Sequence, residues 1–333
     1  MNKTAIDVCG RTRRYRWRCA WHHPSPALFI PAGRKPPILA TVLDWKTLSV
    51  VQIVASSDGR AQPLRRRFTA ASPKRSEMSD PVPAQATGSF QQRPASARLH
   101  GSFASVWVHR MDPAGSPPIV IMPDATIDLQ WIGGSCRIAG PDKEPQTEVL
   151  AADEVVIGLR FHPATAAAWL GVPQIELVGK RLSLDDLWGA RARRLASRVR
   201  ASDNLEDLAC SLQQVVAEEA ASRAPDVPMQ AAYRLIERGP PPDAPLVPWL
   251  MRALEMSERT LRRRFDESFG YGPKTLDRIL RYQRFLRLWS QSNSATAILA
   301  AEAGYSDQAH LVRESRRLTG STPRQIHRLL QNG

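Results

Sequence analysis

"AEAGYSDQAHLVRESRRLTGSTP", residues 301–323, joins a run of small residues to a Gly-Tyr-Ser-Asp corner, an arginine-studded stretch and a closing Gly-x-x-Pro. Sliding the chain by 50 residues brings a second copy onto it, "LMRALEMSERTLRRRFDESFGYGP", residues 250–273. Ala253 falls on Ala303, Leu261 on Leu311, Arg263 on Arg313, Gly270 on Gly320 and Pro273 on Pro323; beyond them, Lys274 falls on Arg324 and Arg278 on Arg328. Each copy reads as a short helix (Val247 to Leu254, Ala295 to Ala303), a tight turn and a second helix begun at a capping residue, Ser257 or Asp307. A glycine at the corner, Gly304, suits the left-handed end of a helix. This is the helix-turn-helix plan, whose second helix enters the major groove of DNA.

The arginines follow from that plan. Arg259, Arg262 and Arg263 lie at i, i+3 and i+4, so they share one helix face, while Leu261 and Phe265 lie on the opposite face. Guanidinium groups can contact guanine O6 and N7 in pairs, each pair contributing about 1–3 kcal/mol of discrimination. A bare arginine face is more often only solvated; the tandem repeat, the caps and the basic bias favour DNA here. The second copy is poorer in readers. Gln308, Arg313 and Arg316 are its expected contacts, at phosphates as much as at bases, and His310 is expected to be structural or phosphate-facing. Between the copies, Pro273 to Ser290 reads as one long helix. Leu276, Ile279, Leu280, Phe285, Leu286 and Trp289 form its apolar stripe, with Arg278, Arg281, Arg284 and Arg287 on the other side. It would hold two heads about 34 Å apart, a spacing of ~10 bp that matches successive major-groove segments.

Charge is uneven. Of 333 residues, the first 77 hold 15 Lys and Arg against 4 Asp and Glu, residues 78–239 hold 16 against 19, and residues 240–333 hold 15 against 9. The C-terminal bias fits a polyanion partner. Residues 1–85 are rich in Arg and Pro and lack sustained periodicity, so they are expected to be a disordered tail, either a nucleic-acid-binding arm or the product of a start placed too early, with Met78 as the native start. Residues 86–190 alternate in short apolar strands ("SVWVHRM", "PPIVIM", "IDLQWIGG", "SCRIAG", "EVVIGLRFH") and predict a β-rich domain. Residues 191–237 read as a helical connector or dimerisation region, 238–246 as a Pro-rich linker, and 247–333 as an all-α DNA-binding domain. The fold class expected is α+β multidomain.

Cys9, Cys19, Cys136 and Cys210 show no metal-ligand spacing, and neither a metal nor another cofactor is expected. Ile38 to Ala55 is the most apolar stretch and carries Asp44 and Lys46, so no membrane partner is expected. "GYGPKT", residues 270–275, resembles half a phosphate loop, but Pro273 has no N–H to offer a phosphate. No hydrolase or zinc-protease motif is present, and an enzyme is not expected. The competing readings are a non-specific nucleic-acid binder acting through the basic tail, and an enzyme with a DNA-binding appendage.

"SERTLRRRF" (257–265), "GYGP" (270–273), "RYQRFLRLW" (281–289), "AAEAGYSDQAHLVRE" (300–314) and "LTGSTPRQIHR" (318–328) together resemble the AraC/XylS family of bacterial transcription regulators. The resemblance implies a two-headed helix-turn-helix domain of seven helices, sequence-specific binding of double-stranded DNA, and control of promoters. It implies RNA polymerase, a small-molecule effector and a second copy of the chain as further partners, and a cytoplasmic, nucleoid-associated place in a bacterium. One departure stands out: Ser315 occupies the position of Phe265, where the family usually places an aromatic residue, and this predicts a missing core side chain in the second head. "MPDATIDLQW", "IAGPD", "VIGLRFHPATAAAWLGVP" and "LSLDDLWG" are similar to an uncharacterised N-terminal domain of some members, which implies a sensor role. Asp128, Trp131, Arg160 and His162 are then the effector-binding candidates, polar or aromatic residues on apolar strands. The competing reading puts Trp131 in the core, Asp128 at a strand end or turn and Arg160 on the surface.

Overall fold

The computed structural model describes residues 40–44, 49–53 and 82–331, apart from 116, 220–223, 242–243 and 293. Most of the expected tail therefore lies outside the described residues; within it, β1 (Ala40–Asp44) and β2 (Ser49–Ile53) pair antiparallel.

A β-rich region comes next. Its strands are β3 (Val82–Pro83), β4 (Ser89–Pro94), β5 (Phe103–Arg110), β6 (Ile119–Ile121), β7 (Asp128–Ile132), β8 (Ser135–Ala139), β9 (Gln146–Glu148) and β10 (Val155–Phe161). After α1 (Ala166–Leu170) comes β11 (Arg181–Ser183). Six of these strands form an antiparallel sheet in the order β11-β8-β7-β10-β5-β4, and β3, β6 and β9 form a smaller sheet. The register sorts side chains by face. Val106, Leu159, Leu129 and Ile138 are paired across four neighbouring strands, share one face and are all buried. That face packs against α1, α2 (Leu184–Trp188), α3 (Ala190–Arg198) and α4 (Leu205–Ala217), where Trp169, Leu184, Leu195, Leu212 and Val216 close the first core. Phe103 stacks on Phe161 at 4.2 Å between ring centres, and Trp169 meets Phe103 edge-on at 5.4 Å. Ser183 caps α2 and Asn204 caps α4, each accepting backbone N–H groups of the first turn.

The other face carries Gln92, Trp107, Gly158, Gln130 and Arg137, paired in that order. Gly158 is required there: a Cβ at this position would lie within the Trp107 ring system.

The helical part holds α5 (Val227–Arg238), α6 (Leu246–Ala253), α7 (Glu258–Phe269), α8 (Pro273–Gln291), α9 (Thr296–Glu302), α10 (Gln308–Thr319) and α11 (Pro323–Gln331). Leu250, Leu261, Phe265, Ile279, Tyr282, Phe285, Leu299, Leu311 and Leu318 form its core. Met229, Ala232 and Ile236 of α5 belong to this core, so the Pro-rich stretch after residue 238 does not separate the two packing units. Ala164 from the strand-rich part also enters it. α5, α6, α7, α9 and α10 all contact α8, which is buried along Leu276, Ile279, Leu280, Tyr282 and Phe285.

Ser315 is fully buried, and its hydroxyl meets the Tyr282 hydroxyl at 3.0 Å and donates to the Ser321 carbonyl at 2.8 Å. Where the family places an aromatic contact, this head has a hydrogen-bonded bridge from α10 to Tyr282 of α8. Burial pushes the Tyr282 phenol up to about 12, so it stays protonated and can donate.

Two outcomes follow. Gly158→Ala should destabilise the fold by about 1–3 kcal/mol through overpacking against Trp107, read as a lowered denaturation midpoint. Ser315→Ala should cost ~1–3 kcal/mol by leaving buried polar partners unmatched, and Tyr282→Phe combined with it should cost less than the two single changes added together.

Candidate nucleic-acid interface

The two heads are built alike at their corners. In the first, the Met256 N–H bonds the Met251 carbonyl at 3.0 Å; in the second, the Tyr305 N–H bonds the Ala300 carbonyl at 2.9 Å. Both are the six-to-one closure of a left-handed helix end. The left-handed residue is Gly304 in the second head, with φ 93°, and Glu255 in the first, with φ 52°. A non-glycine residue there is strained, so the glycine rule read from the second corner does not extend to the first. From these residues to the caps, the second turn is one residue longer than the first.

Ser257 accepts the Thr260 N–H at 3.3 Å, and Asp307 accepts the His310 N–H at 2.6 Å. That N–H holds the Asp307 carboxyl below the usual carboxylate range, so the cap is charged at the positive end of α10. Gly270 and Gly320 end α7 and α10 at φ 79° and 74°. Gly270 also has no room for a side chain, since a Cβ would sit 2.8 Å from the Gln174 carbonyl oxygen. The turn Gln174–Glu176 of the strand-rich part thus packs onto the end of α7, and Ile175 stands, half exposed, beside its arginine face.

Leu261 and Phe265 are buried at 1% and 0% exposure, while Arg259, Arg262 and Arg263 are all exposed. Only Arg263 has an ion-pair partner among these three within the described residues, Glu267 at 3.6 Å on the next turn. An exposed i,i+4 pair of that kind is weak and yields readily to a phosphate or base. On α10, Leu311 is buried and Gln308, Arg313 and Arg316 are exposed, with Arg317 exposed beside them. His310 is tied down locally: its Nδ1 meets the Ser306 hydroxyl at 3.2 Å and its ring stands edge-on to Tyr305 at 5.2 Å.

Not every arginine is free. Arg264 of α7 makes a two-pronged contact with Asp226 at 2.9 Å, and Asp226 also caps α5. Arg278 pairs with Glu314 of α10 at 3.4 Å, and Arg281 pairs with Asp277. Arg284 donates to three carbonyls, those of Ala303 (3.0 Å), Ile236 (3.3 Å) and Glu237 (2.6 Å). The sequence stripe made these residues look alike, because helical spacing shows the face and not the partner.

The four effector candidates separate. Trp131 is 9% exposed and lies in the first core. Asp128 is buried on β7 and takes both prongs of Arg160, at 3.1 Å each, while Asp124 adds a contact at 3.3 Å. Burial opposes the Arg160 charge, but Asp128 and Asp124 outweigh it and hold the group above its usual range. Arg160 and His162 open onto a pocket of about 590 Å³ between the strand-rich part, α5 and α8. Its other polar walls include Gln92, His100, Arg234 and Arg287 together with the carboxylates Asp124 and Glu237. Burial lowers the His162 pKa, as does the positive charge of His100 and Arg234. Among the described residues, neither Arg234 nor Arg287 has a carboxylate within ion-pair distance. The sequence missed both, since nothing in their spacing places α5 against the sheet.

Among the described residues no helix is long and apolar enough to cross a membrane. A family model described as a helix-turn-helix domain matches residues 250–328. Among solved structures, the chain is similar to an apo single-residue variant of ToxT from Vibrio cholerae strain SCE256, at 11% identity and a TM-score of 0.41, covering 72% of this chain and 100% of that one. It is similar also to ToxT from Vibrio cholerae O395, at 11% identity and a TM-score of 0.40, covering 73% and 99%. ToxT from O395 bound to (E)-4-(8-methylnaphthalen-1-yl)but-3-enoic acid gives 12% identity and a TM-score of 0.40, covering 72% and 99%. The curated protein sequences contain no match. With their paired corners, caps and exposed arginine face, residues 250–328 form an AraC-type helix-turn-helix domain.

Proposed function

We propose that the chain is a sequence-specific transcription regulator that reads duplex DNA with α7 and α10, under the control of a small molecule held in the pocket between the strand-rich part, α5 and α8. The observation that carries the first half is the exposed Arg259, Arg262 and Arg263 face on a capped, core-anchored helix. Arg259, Arg262 and Arg263 are the base readers in this reading. Gln308, Arg313 and Arg316 on α10 serve position and phosphate contact more than base choice.

The pocket supports the second half. Arg160 forms its wall with its donors engaged, whereas Arg234 and Arg287 have no carboxylate within ion-pair distance among the described residues. With His100 and His162 nearby, the chemistry suits a small polar molecule with an anionic group. RNA polymerase and a second copy of the chain are proposed as partners on the family likeness alone, and a place on the bacterial nucleoid follows from the DNA reading.

Selection from a random DNA pool by the purified full chain at ~150 mM salt tests the function, since salt suppresses purely electrostatic binding. The expected product is a motif of two blocks about one helical turn, ~10 bp, apart. Enrichment of no sequence, with steep salt dependence, would favour non-specific binding through the basic tail. On the selected duplex, Arg262→Ala should cost about 1–3 kcal/mol and relax one base position; an equal loss on all sequences would remove Arg262 from the list of base readers.

A further inference from the structure

α5 and α9 both end against one side chain of α8. The last carbonyls of α5, on Ile236 and Glu237, accept from Arg284 Nη2 at 3.3 and 2.6 Å. The carbonyl of Ala303, at the end of α9, accepts from Nη1 at 3.0 Å. Each helix is closed by a positive-φ glycine, Gly239 at 91° and Gly304 at 93°, and neither glycine carries a side chain to screen the guanidinium. A helix C-terminus has unpaired carbonyls and carries partial negative charge. Two such ends facing each other would repel; a guanidinium between them satisfies both at once. Arg284 is partly buried, so each bond it makes is worth more than at the surface.

The neighbours of Arg284 on α8 extend the connection. One residue earlier, Gln283 is buried and donates to the Pro123 carbonyl of the strand-rich part at 2.9 Å. One turn later, Arg287 faces the junction pocket, whose α5 wall includes Tyr233, Arg234 and Glu237. The Glu237 backbone is therefore gripped by Arg284 while its residue lines the pocket.

We infer that Arg284 is the positioning residue that locks the second reading head to α5, fixing the separation of the two heads and tying that separation to the junction pocket. Arg284 stands off the DNA-reading faces and acts through α9. A lysine carries its three donors on one nitrogen, so it cannot reach the ends of two helices as the separate Nη1 and Nη2 do. The inference rests on the two-headed reading proposed above.

The test uses the full chain with Arg284→Met and Arg284→Lys. Binding is measured on the selected two-block duplex, on versions with the blocks moved apart or together by about half a helical turn, ~5 bp, and on a duplex holding the first block alone. For the wild type, moving the blocks should cut affinity at least about tenfold, the size of effect one charge-assisted bond can sustain. In Arg284→Met that spacing penalty should fall below about threefold while first-block binding stays within about twofold, with Arg284→Lys in between. An unchanged spacing penalty in Arg284→Met would overturn the inference. So would an equal loss on the first block alone, which would mark a general loss of folding. Hydrogen exchange on the free protein gives a reading that needs no DNA: amides of α9 and α10 should exchange faster in Arg284→Met, and those of α6 and α7 should not change. If the wild type recovers no two-block DNA, the two-headed function falls. Exchange then decides alone whether Arg284 locks the head, and unaltered protection of α9 and α10 would overturn it.

Discussion

Everything in the C-terminal half hangs on the burial of α8. Its 19 residues, Pro273–Gln291, give a rod on the order of 28 Å long at about 1.5 Å per residue. That is the same order as one turn of duplex DNA, ~34 Å, so one straight helix sets the span over which two heads of this kind can be held. Leu276, Ile279, Tyr282 and Phe285 are all wholly buried in the one core that both heads share, and Tyr282 bonds Ser315 of the second. An exposed linker of equal length would let the heads drift and would lose any preference for block spacing. Fully burying a side chain of this kind contributes about 1.5–3 kcal/mol, so these four alone outweigh the weak surface ion pairs around them.

The two heads share a plan and diverge where the plan allows. The caps, the closing glycines and the buried leucines Leu261 and Leu311 are kept, because each satisfies a backbone or packing requirement that has few solutions. The corner differs: Glu255 carries the positive φ in one head and Gly304 in the other. The anchor differs as well. Phe265 is a buried ring in the first head, whereas Ser315 in the second is a buried hydroxyl bonded to Tyr282 of α8. That hydroxyl pair adds direction to an otherwise non-directional contact between the second head and the spacer.

The C-terminal architecture was legible because a repeat, two caps and a 3.6-residue stripe each constrain backbone geometry locally. The strands β5, β7, β8 and β10 were legible for the same reason, through alternation and turn residues. The short strands β3 and β9 were not, because two or three residues carry no period. The site divided along the same line. Exposure of Arg259, Arg262 and Arg263 follows from their place opposite Leu261 and Phe265. The different fates of Arg264, Arg278, Arg281 and Arg284 depend on Asp226, Glu314, Asp277 and the ends of α5 and α9, which are tertiary neighbours. Trp131 and Asp128 sit three residues apart, an odd offset that sends them to opposite faces of the sheet, and only tertiary packing decides which face meets the core and which approaches the pocket.

That division bears on how a ligand would be felt. The Arg160 fork to Asp128 is internal to the strand-rich part, and removing one partner from such a buried pair typically costs about 3–5 kcal/mol. A ligand that broke it would first have to overcome that cost, so Arg160 is better suited to shape the pocket than to bind its occupant. Arg234 and Arg287 face the same space from α5 and α8, with no carboxylate within ion-pair distance among the described residues. Binding energy gained there falls on the helices that carry the heads. A ligand shifts a conformational equilibrium only by the difference in its affinity for the two states. Contacts on α5 and α8 can differ between head arrangements, whereas contacts wholly within the sheet cannot, so the position of these two guanidinium groups decides whether occupancy of this pocket can alter DNA reading.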